Sequence, residues 1–508
     1  MIGLNSEDLV RWQNRSNLAG MRLPLLVLSL ALLWLGASTG SRQAPVPGMA
    51  VSPGVQISTD DPDARHVESW LAINPHDPRN LIAASMVFGE RSGVATYASQ
   101  DGGKSWVRAT HGPHSDRVFE GLDPAVAFDP EGKAYLLTLS DEVAVWSSTD
   151  GGRSWGERVI VSGSGDRPFI GCDSSGRETL RGRIYVSGKR SITVFGHRAV
   201  DWHPELDIIA VATSRDGGAS FGFPKLFLPA PEKELLNVVS DLLVAPDGRL
   251  ILALQTFGPK LDLRAPLLNA SYSTIVSDDG GQGFSEPRPV AEFRTFGHAR
   301  EGKSLLGLGG GRLAMDSSQG PTRGRLYFAW LDVVDGYYQV MAAASADGGK
   351  SWSRPLRVND NQEAVDQSNP AIAVNGEGVV GISWNDRRGD PTGRCYQLFF
   401  AASADGGATF SANLRVDDGF TCPIGKPPGP NVDEVPKPDP SIDPVNSEYR
   451  FKNGGDTQGI VGAHDGFHLA WINGASGEMQ LWSTVVVVDK DHLPRVPAIS
   501  RSLPESRR

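Results

Sequence analysis

Short β-rich runs alternate with turn residues over most of the chain. Pairs of apolar runs joined by a glycine turn recur, as in PAVAFDPEGKAYLLTL from Pro124 and AIAVNGEGVVGISW from Ala371. Each pair is followed by a third run, such as VAVWSS from Val143, and then by a fourth, such as LRVND from Leu356. Four short strands in succession, repeated along the chain, predict an all-β protein.

The turn between the third and fourth strands carries the same octapeptide six times. Its pattern is Ser-x-Asp-Gly-Gly-x-(Ser/Thr/Gly)-aromatic, and its aspartates are Asp101, Asp150, Asp216, Asp279, Asp347 and Asp405. Their spacings of 49, 66, 63, 68 and 58 residues are typical of one four-stranded propeller blade per repeat. Aspartate accepts backbone N–H bonds in a tight turn, and the glycine pair supplies positive φ. These aspartates are therefore predicted to form turns and not an active site.

A last set of strands follows the sixth octapeptide, with QGIVGAHDGFHLAWI from Gln458 and MQLWSTVVVV from Met479. No octapeptide comes after it. The missing outer strand can come from VQIST at Val55, which would close the ring and hide both sheet edges. We expect a seven-bladed β-propeller over residues 55–488, with six blades as the alternative if the terminal segments pack otherwise.

The first 40 residues have the order of a signal peptide. Arg22 precedes an apolar run at 23–35, and small residues follow at 36–40. The run has 13 residues, fewer than the roughly 18 that a membrane span requires. We expect a signal peptide or uncleaved anchor at 1–40, a linker at 41–54 and a flexible tail at 489–508. The expected location is secreted or periplasmic, with membrane attachment only through the N-terminal segment.

Charge and cysteine content narrow the possible partners. The net charge of −10, without a basic run in the body, argues against nucleic acid, which requires clustered Lys and Arg. The three cysteines have no zinc-binding spacing, so we expect no metal and no other cofactor. Cys395 and Cys422 are expected to pair in an oxidising compartment, and Cys172 to stay buried in a strand.

Charged residues collect where first strands begin and second strands end, at the rim opposite the octapeptide turns. The candidate ligand-binding residues are Arg65, Glu68, Arg117, Asp123, Asp166, Arg167, Arg312, Asp386, Arg387, Arg388 and Asp456. Carboxylates and guanidiniums around an axial hollow suit a polar or anionic ligand, with Arg388, Arg167 and Arg65 as the first candidates. The alternative is that these charges pair with one another and join the blades. Two long connections, 257–268 and 422–444, are expected at the same rim.

The six octapeptides resemble the Asp-box (BNR) repeats of the sialidase superfamily, and the resemblance covers residues 55–488. HVESWLAINPHDPRNLIAAS and GDRPFIGCDSSG are similar to bacterial exported sialidase-like BNR-repeat proteins. The resemblance implies a fold first, because Asp boxes also occur in propellers that are not sialidases. For a sialidase it implies three arginines that clamp a sugar carboxylate, a tyrosine nucleophile with a glutamate behind it, and an aspartate acid/base.

Part of this sialidase set is missing from the sequence. The expected Arg-Ile-Pro-like motif has its nearest match at 22–24, inside the signal segment. No spacing singles out a nucleophile among Tyr337, Tyr338 and Tyr396. Two functions stay open. One is a glycoside hydrolase of exo-sialidase type acting on glycans, and the other is a non-catalytic propeller that binds a glycan, a glycoprotein or another protein through its rim.

The mature protein is expected to begin after about residue 40, with Met21 as the start of the signal, because Met-Arg followed by an apolar run is already complete as a signal. Mass spectrometry of the mature N-terminus measures this. Exported protein that retains residues 1–20 would contradict it.

Overall fold

The computed structural model describes residues 45–89, 91–112, 116–192, 206–227, 236–258, 265–297, 310–422 and 454–493. These residues form strands joined by turns, together with the 3-10 helix Lys490–His492. Within the described ranges, no helix has the length and apolar character needed to span a membrane.

Two short strands, β1 (Met49–Val51) and β2 (Val55–Gln56), precede the first complete sheet. Blade 1 then contains β3 (Arg65–Ile73), β4 (Leu81–Phe88), β5 (Gly93–Ser99) and β6 (Val107–Arg108), and β7 (Thr110–His111) follows it. Blade 2 contains β8 (Leu122–Phe128), β9 (Ala134–Leu139), β10 (Val143–Ser148) and, after the short β11 (Ser154–Trp155), β12 (Val159–Val161). Strands β7 and β11 pair in parallel and join the two blades.

Four more antiparallel sheets follow, each with its strands in chain order from the inside outwards. Blade 3 contains β13 (Phe169–Cys172), β14 (Ile184–Ile192), β15 (Leu206–Ser214) and β16 (Lys225–Phe227). Blade 4 contains β17 (Leu236–Val244), β18 (Leu250–Phe257), β19 (Leu268–Ser277) and β20 (Arg288–Thr295). Blade 5 contains β21 (Arg312–Met315), β22 (Leu326–Val334), β23 (Tyr337–Ser345) and β24 (Leu356–Arg357). Blade 6 contains β25 (Gln367–Val374), β26 (Val380–Asp386), β27 (Gln397–Ser403) and β28 (Leu414–Arg415).

Blade 7 is completed by the N-terminus. Its own strands are β29 (Gly459–Gly462), β30 (Gly466–Asn473) and β31 (Gln480–Val488), and β31 pairs with both β1 and β2. Strand β1 lies inside the segment predicted to be a linker, so the folded body begins earlier than residue 55. Each inner strand contacts the inner strand of the next blade, and β29 contacts β3. The ring therefore closes with seven blades, and the six-bladed alternative is wrong.

The apolar core lies between neighbouring blades, because each sheet packs on two others. Strands such as β5 and β27 are buried along their whole length. In one interface, Trp384 and Phe399 of blade 6 pack with Tyr338 of blade 5. A sheet buried on both faces explains the continuous apolar runs of the sequence.

The six octapeptide turns share one geometry, between the third and fourth strands. In the first turn, Ser99 Oγ donates to Asp101 Oδ1 over 2.8 Å and the Ser105 hydroxyl donates to Asp101 Oδ2 over 2.6 Å. In the third turn, the hydrogen bond from the Ser220 hydroxyl helps to lower the pKa of Asp216 to about 2. The carboxylates are thus ionised and engaged in hydrogen bonds within their own turns.

Each octapeptide turn also contacts the preceding blade. Its aromatic ring lies between the two blades, and Trp155 Nε1 donates to Thr96 Oγ1 of blade 1 over 3.1 Å. In the third, fourth and sixth turns, a cation just before the preceding blade's second strand donates to a glycine carbonyl of the turn. This contact is made by the pairs Lys133–Gly217, Arg183–Gly280 and Arg325–Gly406. The turns therefore join neighbouring blades as well as strands.

Replacing Arg325 by methionine is expected to lower the free energy of unfolding by about 1 kcal/mol, because the apolar stem remains while the hydrogen bond to the Gly406 carbonyl is lost. Urea unfolding followed by tryptophan fluorescence measures the change. Arg323→Met is the control, since the Arg323 guanidinium donates within its own hairpin to the Ser318 carbonyl. Equal effects of the two substitutions would contradict a role between blades.

Candidate functional site

The starts of the inner strands have an unusual backbone. Strands β3, β8, β17 and β25 each contain a register shift near their start. Four non-glycine residues at these starts are left-handed, with φ of 57° at Glu68, 47° at Asp123, 52° at Arg167 and 52° at Asn369. This conformation costs roughly 1–2 kcal/mol per residue. Strained backbone of this kind clusters at ligand sites, and bulges redirect side chains, so this rim is where a site is expected.

Six residues from blades 1, 3, 5 and 7 form what we term the axial cluster: Glu68, Trp70, Arg167, Phe169, Arg312 and Asp456. The half-buried Trp70 ring packs against apolar clusters that extend from blade 1 to blade 4. The Arg312 guanidinium lies over the Trp70 ring at 5.3 Å and over the Phe169 ring at 5.4 Å. Side chains of blades 1, 3 and 5 therefore meet at this rim.

An ion pair joins blades 3 and 7 within the axial cluster. Arg167 Nη2 lies 3.1 Å from Asp456 Oδ2, and the two side chains are 20% and 10% exposed. Gly455 precedes Asp456, and a Cβ built on it would lie 2.1 Å from Glu68 Cγ. Asn369 Nδ2 donates to the Gly455 carbonyl over 2.9 Å. The glycine thus allows residues of blades 1 and 6 to approach the cluster.

Arg312 is held in place by blade 4. Its Nη1 donates to the Ser240 carbonyl over 2.9 Å, and Asp241 Oδ2 accepts the Leu313 N–H over 2.7 Å. Burial lowers the pKa of Arg312, while Asp241 and Asp456 oppose that shift. Burial also raises the pKa of Asp241, against the influence of Arg312. Arg312 is therefore a fixed, buried group with carboxylates beside it.

Tyr272 of β19 is a candidate that the sequence analysis missed. It lies within electrostatic reach of Arg167 and Arg312, and its ring stacks on Phe293 with the centroids 4.3 Å apart. Burial raises the pKa of Tyr272 well above its usual value, although both guanidiniums favour the phenolate. A phenol held protonated in this way is not an activated nucleophile.

Two of the tyrosines considered from the sequence are used in packing between strands. The Tyr338 hydroxyl lies 2.8 Å from Thr295 Oγ1, and the Tyr396 hydroxyl donates to the Ile472 carbonyl over 3.3 Å. The third, Tyr337, begins β23 and is half-buried.

The structure distributes the eleven predicted ligand-binding residues unevenly. Four of them belong to the axial cluster: Glu68, Arg167, Arg312 and Asp456. Asp123 has the equivalent position at the start of β8. Asp166 pairs with a lysine of β14 over 3.6 Å, Arg117 pairs with Asp60 over 2.5 Å, and Arg65 begins β3.

The three predicted residues at the end of β26, Asp386, Arg387 and Arg388, have other partners. Arg388 Nη1 lies 2.6 Å from Asp360 Oδ1, and Nη2 lies 2.7 Å from the fully buried Asp386 Oδ2. Asp360 follows β24, the outer strand of blade 5, so Arg388 is directed to the outer strands. The expectation that Arg388 points at the axial mouth is wrong, and mutual pairing describes it better. Arg387 is buried and donates to Ser368 Oγ over 3.0 Å.

The predicted disulfide between Cys395 and Cys422 is confirmed. Cys172 lies in β13 as expected but is half-buried instead of fully buried, and burial raises the pKa of its thiol.

The predicted signal segment and the expected rim segments 259–264 and 423–444 lie outside the described residues, as do 494–508 of the predicted tail.

Two surface grooves lie away from the axial cluster. One, of about 440 Å³, lies beside the octapeptide turn that contains Asp405. The other, of about 430 Å³, lies between blades 1 and 2, where His111 stacks on Phe119 at 4.3 Å. Within the described ranges, no group of three or more His, Cys, Asp or Glu side chains could hold a metal ion. Charged and aromatic groups from several blades converge at the axial cluster, which is therefore the candidate site.

Comparison with known proteins gives limited likenesses. No protein-family model matches the chain. Mannan endo-1,4-beta-mannosidase 2 from Arabidopsis thaliana is 28% identical over 192 residues, which is 34% of this chain and 42% of that protein. The chain therefore spans less than half of this curated relative.

The solved structures are similar at the level of fold. A protein of unknown function from Dyadobacter fermentans is 14% identical, with 87% of this chain and 100% of that chain covered and a TM-score of 0.46. An alpha-L-arabinofuranosidase from Fusarium graminearum is 13% identical, with 87% and 98% covered and a TM-score of 0.42. The NanB sialidase from Streptococcus pneumoniae is 12% identical, with 88% and 71% covered and a TM-score of 0.39. These values carry no inference about function.

His66, next to the rim in β3, is fully buried, and its Nδ1 lies 2.8 Å from Ser85 Oγ. Burial, with a smaller effect of Arg108, lowers the pKa of His66 to about 4, and Asp61 opposes the shift. The folded-state pKa lies below the unfolded one. As the pH falls, the unfolded chain therefore binds its proton first.

Neutral His66 therefore makes its full contribution to the free energy of unfolding above about pH 6.5. This contribution falls by roughly 3 kcal/mol as the pH is lowered to about 4. His66→Gln is expected to remove this part of the acid-induced loss, measured by urea unfolding between those pH values. His76 is exposed, so His76→Gln serves as the control and should show the same acid-induced loss of stability as the wild type. An acid dependence unchanged in His66→Gln would contradict the assignment.

Proposed function

We propose that this propeller binds a glycan at the axial cluster, on the rim opposite the octapeptide turns. One observation carries the proposal: Arg167, Arg312 and Asp456 come from three blades far apart in sequence and meet beside the half-buried Trp70 ring. Aromatic surface combined with a few fixed polar groups is the usual composition of a small-ligand site. Guanidinium and carboxylate groups make paired hydrogen bonds with neighbouring hydroxyls, as a sugar ring presents them.

Exo-sialidase hydrolysis is the more specific form of the hypothesis. The position of Tyr272 near Arg167 and Arg312 favours it. The raised pKa of Tyr272 opposes it, because a tyrosine nucleophile needs activation. The pairing of Arg167 with Asp456 also opposes it, because a carboxylate clamp needs an available guanidinium. The geometry therefore supports binding better than turnover, and hydrolysis is the second candidate.

We also propose that the protein acts outside the cytoplasm. The disulfide between Cys395 and Cys422 supports this, because such bonds persist in oxidising compartments. The signal-like order of residues 1–40 agrees with it. Glycans of a cell surface, a glycoprotein or a polysaccharide would be accessible there, and the partial likeness to a mannan-degrading enzyme is in keeping with such a ligand.

Arg167→Ala is expected to weaken glycan binding about tenfold or more, because a charge-assisted hydrogen bond contributes roughly 1.5–3 kcal/mol. Arg388→Ala is the matched control. It removes another rim arginine whose bonds to Asp360 and Asp386 are structural, so it should lower the melting temperature and leave the affinity per folded molecule unchanged. A glycan array identifies ligands, and calorimetric titration with thermal melts compares the three proteins.

A panel of chromogenic glycosides measures turnover in the same samples. Chromophore release that is lost in Arg167→Ala would establish hydrolysis at the axial cluster. Equal loss of affinity in both variants would contradict this location of the site. An array without any bound glycan would contradict the glycan proposal and favour a protein partner.

A further inference from the structure

The arginines of the axial cluster are already matched by acidic side chains. The Arg167 guanidinium makes its 3.1 Å contact with Asp456, and the Arg312 guanidinium has Asp241 and Asp456 as its attractive neighbours. Glu68, 2% exposed, adds a further carboxyl group beside Gly455. Among the described residues, the cluster therefore has no surplus of positive charge. An anionic ligand, as expected from the number of rim arginines, would require such a surplus.

We propose that Asp456 makes the axial cluster selective for neutral glycans over acidic ones, by occupying the guanidinium of Arg167 that an acidic sugar would need. The inference rests on the proposed glycan-binding function and names the ligand class of that site. Asp456 acts in it as a specificity-determining residue.

A sugar carboxylate would meet two obstacles at this position. It would have to displace Asp456 from Arg167, and a carboxylate that is only 10% exposed is poorly solvated once its partner is removed. The displaced Asp456 would then lie beside a ligand of the same charge, and such like-charge contacts discriminate strongly between ligands. Both effects act against an acidic sugar and leave a neutral one unaffected.

A neutral sugar can use the ion pair without breaking it. A guanidinium has five N–H donors, so the contact of Arg167 with Asp456 leaves other donors of Arg167 for ligand hydroxyls. One hydroxyl can accept from Arg167 while its neighbour donates to Asp456. The ion pair fixes both groups beforehand, which reduces the entropy lost on binding.

Three other rim arginines, Arg312, Arg388 and Arg117, are poorly placed to replace Arg167. Arg312 has its guanidinium over two aromatic rings and donates to the Ser240 carbonyl. Arg388 and Arg117 are paired with aspartates. Arg65 makes no ion pair with any residue that the structure describes, so it is the alternative route for an acidic ligand, and the experiment includes it.

The test is an array of neutral oligosaccharides, each printed beside a counterpart that carries a sialic or uronic acid. Wild-type protein is expected to bind acidic members about tenfold or more weakly than their neutral counterparts. Asp456→Asn frees Arg167 and should shift this ratio about tenfold towards the acidic members, which corresponds to one charge-assisted contact. In the double variant Asp456→Asn with Arg167→Met, the shift should disappear.

Asp141→Asn is the matched control. It makes the same change in net charge at the same rim, on an exposed side chain. It should keep the wild-type ratio, because a distant exposed charge is screened by salt. A shift equal to that of Asp456→Asn would overturn the proposal, since the effect would then be one of net charge alone.

Failure of this inference is distinguishable from failure of the proposed function. Wild-type preference for acidic members, unchanged in Asp456→Asn and lost in Arg65→Met or Arg167→Met, would overturn neutral selectivity while leaving glycan binding intact. No binding to any member would overturn the proposed function itself. Thermal melts confirm that the variants fold. If Asp456→Asn does not, the wild type still decides, because acidic members that bind as tightly as their neutral counterparts, or more tightly, would overturn neutral selectivity.

Discussion

The structure depends on one constraint, which is that every blade has two apolar faces and each face needs a neighbouring blade. Blade 7 lacks an outer strand of its own, and the pairing of β31 with β1 and β2 supplies it from the other end of the chain. The contact between β29 and β3 then buries the last two apolar faces. Without this closure, the core residues of blades 1 and 7 would be exposed to water, at about 25 cal/mol for each Å² of apolar area.

Closure also explains the second role of the octapeptide turns. Each aromatic ring fills the space between its own blade and the preceding one, as Trp155 does against Thr96. In three of the turns, a glycine carbonyl also accepts a hydrogen bond from a cation of that preceding blade, as Gly406 does from Arg325. The repeated residues therefore fix the angle between blades at one rim. The opposite rim is left free of this requirement, and its charged residues can vary from blade to blade.

The sequence was sufficient for the architecture because the architecture is repeated. Six copies of one turn give the blade period, and the β-rich segment VQIST at Val55 is available for the outer strand that the last blade lacks. The disulfide between Cys395 and Cys422 also followed from position, since both cysteines border the connections of blade 6. Local pattern and global fold agree at each of these places, as expected for a foldable sequence.

The axial cluster was predictable only as a set of candidates, because its contacts depend on which blades face each other across the ring. Arg167 and Asp456 are 3.1 Å apart although 289 positions separate them, and no local pattern encodes that distance. Trp70 was missed because one tryptophan in a β-rich run gives no sign that its ring lies on the axis. A polar residue before proline at the start of the inner strand, as in Arg167-Pro168 and Asn369-Pro370, was the available signal.

Arg388 and Arg167 show why counting arginines does not identify an anion site. Both are rim arginines held by aspartates at about 3 Å. Arg388 pairs with Asp386 of its own blade and with Asp360 of blade 5, whereas Arg167 of blade 3 pairs with Asp456 of blade 7. A guanidinium attracts a ligand carboxylate to the extent that no internal carboxylate already holds it. Whether a site attracts an anionic ligand is therefore determined by how its charges are paired and not by the number of its arginines. In the axial cluster, where Arg167 and Asp456 hold each other, that pairing leaves little net charge to attract an anion.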